Sequence, residues 1–192
     1  MKICFATNNK KKLEEVKSAL KDTEIHPQSL REIGCTEELP ETGDTLEANA
    51  LQKAQYVLEN YSISCFADDT GLEVEALEGA PGVYSGRFAG EPRSDERNVD
   101  LLLEKLSGTV NRKARFRTVI ALLLNGEKHL FEGIVEGTIT DSRSGDGGFG
   151  YDPVFVPTGY QQTLAELSME EKNAISHRGR AVAQLIRFLE SR

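Results

Sequence analysis

The stretch ARFRTVIALLLNGEKHLFEGIVEGTIT, residues 114–140, decides what kind of sheet this chain builds. Two long segments rich in β-branched, aromatic and aliphatic residues flank Asn125–Gly126, a pair suited to the tight hairpin turn whose central residues both take positive φ. The segments therefore read as a long antiparallel hairpin, 114–124 with 129–140. The preceding half has another rhythm. KICFA (2–6) reads as a short buried strand, and Leu13, Val16 and Leu20 place a helix over Lys10 to Lys21. Leu46, Ala50, Ala54, Val57, Leu58 and Tyr61 give a second helix its buried face, with Asp44 and Glu47 as a capping box.

CFADD (65–69) and LEVEAL (72–77) read as two further strands, followed by the glycine-rich loop GAPGVYSGRFAG (79–90) and a helix from Ser94 to about Leu106. Beyond the hairpin, the loop DSRSGDGGFGYDP (141–153) leads into the strand VFV (154–156). Ser168 with Glu171 forms a second capping box, and Ala181, Val182, Leu185, Ile186 and Leu189 mark a closing amphipathic helix with Ser176 as its N-cap. Alternating strands and helices joined to an antiparallel hairpin predict an α/β fold with a mixed sheet in two lobes, one domain over 1–192.

The chain of 192 residues has 39% hydrophobic and 28% charged residues, the profile of a soluble globular protein. A net charge of −8 argues against general nucleic-acid binding, which needs a basic face. No apolar run approaches a membrane span, and MKICFATNNK lacks the apolar core of a signal peptide. Cys4, Cys35 and Cys65 have no metal-site spacing and read as reduced core thiols, so the expected compartment is the cytoplasm.

Three stretches conflict with ordinary packing. Lys10, Lys11 and Lys12 crowd a helix start, where the dipole is already positive and only Glu14 and Glu15 offset them. Either the lysines are solvated above a cap made by Thr7 or Asn8, or TNNKKK cradles an anion. KNAISHRGRA (172–181) repeats the conflict with His177, Arg178 and Arg180. In GGFGYDP (147–153), Phe149 is either a core anchor or a stacking platform, and Asp152 can accept hydrogen bonds from a base edge. The adjacent carboxylates Asp68 and Asp69 point to opposite faces of an extended chain. They end a strand in a turn, or one of them meets a hard cation with help from Glu41. A cation, two basic helix starts and an aromatic platform together fit a nucleotide polyphosphate.

ATNNKKK, ETGDTLEANALQKA, FADDTGLEVEALEGAPGVYSGRFAG, GGFGYDPVF and EEKNAISHRGRA, in this order, resemble the inosine triphosphate pyrophosphatase family, also called XTP/dITP diphosphatases. The resemblance spans nearly the whole chain. It implies an elongated mixed twisted sheet flanked by helices, two lobes with a central cleft, and a homodimer. It further implies Mg²⁺-dependent cleavage between the α- and β-phosphates of deaminated purine nucleotides. By position, Thr7, Asn8, Asn9, Lys10, Lys11 and Lys12 become the phosphate loop, with Lys53 a further phosphate contact. Glu41 and Asp69 become metal-side carboxylates, Asp69 also the proton acceptor, with Thr70 beside the substrate. Phe149, Gly150, Tyr151, Asp152, Lys172, His177 and Arg178 complete the substrate pocket. Asn8 and Lys11 stand where many members carry smaller residues, and Ala48 where many carry an acid.

Overall fold

Asn125 and Gly126 take φ values of 51° and 81°, and the chain reverses there between strands of 12 and 13 residues. The computed structural model describes residues 1–192. In chain order the elements are β1 (Lys2–Phe5), α1 (Lys10–Leu20), β2 (His26–Gln28), α2 (Leu46–Tyr61), β3 (Cys65–Val74) and β4 (Pro81–Gly82). They continue with α3 (Asp95–Lys105), β5 (Lys113–Leu124), β6 (Glu127–Ile139), β7 (Phe155–Pro157), α4 (Met169–Ile175) and α5 (His177–Glu190). The sheet order is β2-β1-β3-β5-β6-β7, with β4 paired to β3. β1 runs parallel to β2 and β3, and all other pairings are antiparallel, so the sheet is mixed as expected.

Alternation along the strands sorts side chains between three cores. Ile3, Phe5, Phe66, Ile120 and Leu122 face Val16 and Leu20 of α1 and Val182 and Leu185 of α5. Their neighbours Cys4, Cys65, Ala67, Ala121 and Leu123 face Ala50, Ala54 and Val57 of α2. Further along the same strands, Leu72, Val74, Ala114, Phe116 and Val135 pack with Val99, Leu102 and Leu106 of α3 and with Tyr151, Val154 and Phe155. β3, β5 and β6 thus run through both lobes, and the polar stretch Asp68–Thr70 lies on β3 between the cores.

Four local expectations change. CFADD and LEVEAL belong to one strand of 10 residues, because β5 pairs with it without a break from Cys65↔Leu123 to Val74↔Ala114. The two aspartates therefore lie within a strand rather than at its end, and Glu75–Leu77 is a 3-10 turn. The α2 cap is Thr45, whose Oγ1 accepts from Ala48 N, while Glu47 pairs with Arg117 instead of closing a capping box on Asp44. The α1 cap is Asn9, whose Oδ1 accepts from Lys12 N at 3.1 Å. β2 escapes a pattern search because its three residues include Pro27, tolerable only at an edge such as this. The Ser168–Glu171 capping box and the caps at Ser94 and Ser176 form as read.

Candidate active site

The pleat of β3 sends its two aspartates to different partners, as period-two alternation requires. Asp68 points to the α1 and α5 face, where it accepts from Lys12 Nζ at 3.2 Å and Arg178 Nε at 3.0 Å. Asp69 points to α2, accepting from Asn49 Nδ2 at 3.1 Å and Lys53 Nζ at 3.5 Å. Lys53 also donates to Glu41 Oε1 at 2.6 Å, so Glu41 and Asp69 present carboxylate oxygens around one positive atom. Asn49 Oδ1 accepts from Gly43 N at 2.7 Å, which fixes both the Asn49 amide and the acidic loop bearing Glu41.

The two basic helix starts meet through Glu15, which the sequence placed only as an offset to Lys10, Lys11 and Lys12. Glu15 is 4% exposed and accepts from both Lys172 and Arg178. Lys172 Nζ also donates to Asp152 Oδ2 at 2.5 Å, and Arg178 also donates to Thr70 Oγ1 at 3.1 Å. Gly179 lets α5 start against α4, because a Cβ there would lie 1.8 Å from Asn173 O. Gly148, at φ 67°, leaves room for Asp152 Oδ2, which a Cβ would approach to 2.2 Å. Asp152 also accepts from Phe149 N at 3.0 Å, shaping the turn that carries the Phe149 ring. That ring is half-buried and belongs to none of the three cores; Lys172 Nζ lies 4.9 Å and Arg178 Cζ 5.5 Å from its centre. Phe149 is therefore not a core anchor. Tyr151 is the core anchor instead, 4% exposed, with its hydroxyl donating to Ser85 O at 2.6 Å.

Charge is distributed unequally. Burial pushes the Asp69 carboxyl above the usual range and Glu41 adds to this, while Lys53 and Lys12 offset part of it. Burial would also raise Asp68 and Glu15, but Lys12 and Arg178 hold Asp68 below the usual range, and Arg178 and Lys172 do so for Glu15. Burial, Arg178 and Lys172 keep the His177 imidazole, stacked on Phe116 at 4.5 Å, well below its ordinary value. The folded protein therefore refuses a proton that the unfolded chain accepts near pH ~6.5. Stability from this site is complete above that pH and declines as pH falls below it. His177→Phe is expected to flatten the decline in unfolding free energy between about pH 7 and pH 5. Denaturant melts across that range check this, and equal slopes in both proteins would refute it.

All the sequence-predicted site residues line one cleft except Lys10 and Lys11. Lys10 is exposed, and Lys11 spans from α1 to donate to Gly148 O at 3.2 Å. Thr7 Oγ1 accepts from Asn9 N, and Asn8 is tied to the acidic loop by donating to Glu37 O and accepting from Leu39 N. Gly150 N donates to Asp95 Oδ2 at 2.8 Å. Arg180 turns away and donates to Ile134 O. Glu15 and Asn49 join the network; their only sequence signal is a polar residue flanking a helix's apolar stripe. No three His, Cys, Asp or Glu side chains form a ready-made metal cage. Two facing carboxylates, Glu41 and Asp69, do fit a hard cation that keeps several waters and arrives with phosphates.

A mixed curled sheet with a charged, aromatic-walled cleft between two lobes defines an α/β protein built around a polar small-molecule site. The Ham1 family model matches residues 3–188, and the chain belongs to that family. It is 52% identical over 191 residues to a dITP/XTP pyrophosphatase of Flavobacterium psychrophilum, with 100% of each chain covered. It is 56% identical over 189 residues to one from Porphyromonas gingivalis, covering 98% of this chain and 97% of that one. A HAM1 protein structure from Coxiella burnetii superposes with a TM-score of 0.90 at 38% identity, over 100% of both chains. The Staphylococcus aureus Ham1 protein gives 0.88 at 41% identity, over 100% of this chain and 99% of that one.

Proposed function

We propose that this protein hydrolyses deaminated purine nucleoside triphosphates, ITP, dITP and XTP, to the monophosphate and pyrophosphate, with Mg²⁺ as cofactor. The observation that carries the reading is one cleft that joins an aromatic platform, Phe149, to the acid–base group Asp69–Lys53–Glu41. The full-length similarity to proteins named dITP/XTP pyrophosphatase supports the choice of base and bond.

In this reading Phe149 stacks on the purine, and Arg178, His177 and the backbone around Gly150 and Tyr151 read the 6-keto edge. An adenine amino group there would leave those donors unpaired, the kind of mismatch that hydrogen-bonded sites reject strongly. Asp152 holds Lys172 and the Phe149 turn in place, and Thr70 holds Arg178. Thr7, Asn8, Asn9, Lys12 and Lys53, which line the cleft, hold phosphate oxygens, and Lys10 and Lys11 do not take part. Asp69 takes the proton from the attacking water, its other oxygen fixed by Asn49. Glu41 and Asp69 would hold the Mg²⁺ ion, which when bound supplies positive charge against the charge developing on the phosphoryl oxygens. A homodimer follows from the family resemblance, and a reducing cytoplasm fits the three buried free cysteines.

Incubation of ITP with the protein and Mg²⁺ is expected to give IMP and pyrophosphate in equal amounts, measured by separating nucleotide products and assaying pyrophosphate and phosphate independently. Stepwise appearance of IDP with free phosphate would sink this assignment.

A further inference from the structure

The buried cations of the cleft are all engaged by protein carboxylates. Lys12, Lys53, Lys172 and Arg178 face Glu15, Glu41, Asp68, Asp69 and Asp152, so the interior holds more anions than cations. A polyphosphate entering such a site needs positive charge that can move. Arg93 lies just before the Ser94 cap of α3 and lines the cleft from the second lobe. Its side chain is 55% exposed, and Nη2 lies 3.4 Å from Glu41 Oε2, the oxygen of Glu41 not engaged by Lys53. The nearby Arg87 differs, since its guanidinium packs over the Tyr84 ring at 5.4 Å. The wall beneath Arg93 is firm: Asn98 accepts from Ala89 N and donates to Gly86 O, pinning the loop to α3.

We propose that Arg93 is a phosphate-binding residue that leaves Glu41 for the pyrophosphate half of the substrate once a divalent cation takes Glu41. The inference rests on the cleft reading above. A cation on Glu41 neutralises the carboxylate that restrains Arg93, leaving Glu91, 3.8 Å from Nε and 66% exposed, as its remaining acidic partner. A guanidinium so released faces the arriving phosphates, which it can grip through paired N–H groups. The move also carries charge across the cleft, from a carboxylate on the first lobe to the substrate.

Calorimetric titration of pyrophosphate and of IMP into wild-type, Arg93→Ala and Arg93→Lys proteins, with and without Mg²⁺, tests this. The expected result is a loss of pyrophosphate affinity in Arg93→Ala of about 5- to 10-fold with Mg²⁺, a clearly smaller loss without it, unchanged IMP affinity, and partial recovery in Arg93→Lys. Unchanged pyrophosphate affinity, an equal loss for IMP, or the same loss without Mg²⁺ would each overturn it. Wild-type protein that fails to bind pyrophosphate at all would overturn the phosphate reading of the cleft, and this inference with it.

Discussion

Asp69→Asn protein is expected to turn over ITP about 10²- to 10⁴-fold more slowly, the range for losing a positioned general base. The substitution is nearly isosteric. The new amide oxygen can still accept from Asn49 Nδ2, and Lys53 keeps Glu41, so the surroundings persist. What disappears is the ability to take a proton, together with one negative charge facing Lys53 and the Mg²⁺ position, which is why turnover is measured at saturating Mg²⁺. Nucleotide affinity is expected to survive, because Phe149, Lys12 and the α1 N-terminus are untouched. Steady-state kcat measured beside calorimetric binding of ITP to the variant separates the two effects. Near-normal turnover at saturating Mg²⁺ would remove Asp69 from the role of proton acceptor.

Glu15→Ala is expected to cost about 3–5 kcal/mol of folding stability, the typical penalty for removing one partner of a buried ion pair. Lys172 and Arg178, each 5% exposed or less at the side chain, would lose a shared counter-charge with little water to replace it. For a chain of this size that corresponds to a melting temperature lower by roughly 6–20 °C. Glu73→Ala provides the contrast: its partner Arg115 is 44% exposed, so the loss is expected to stay within about 1 kcal/mol. Thermal melts of both variants check the pair. A Glu15→Ala protein as stable as Glu73→Ala would show that Lys172 and Arg178 find sufficient compensation in Asp152 and Asp68.

The sequence made visible what repeats and what punctuates. The β5–β6 hairpin follows from hydrophobic runs around Asn125–Gly126, and the serine caps follow from side chains that satisfy helix N–H groups next to them in sequence. The continuity of β3 was hidden, because Asp68 and Asp69 look like punctuation until their partners are known. Those partners, Lys12 and Arg178 for one and Asn49 and Lys53 for the other, come from helices distant in sequence. Glu15 was hidden for the same reason. A helix surface carries no mark that one of its acids will meet Lys172 and Arg178 more than 150 residues later. The motifs that carry the family resemblance hold most of the residues that line the cleft, a grouping that spacing alone does not provide.

Because β3, β5 and β6 belong to both lobes, the two halves of the cleft are not joined by a flexible linker. Widening the gap means changing the twist of a hydrogen-bonded sheet, and its resistance grows with displacement as in a leaf spring. The separation of the two walls is thus set by the twist of β3, β5 and β6 rather than by a linker between separate units.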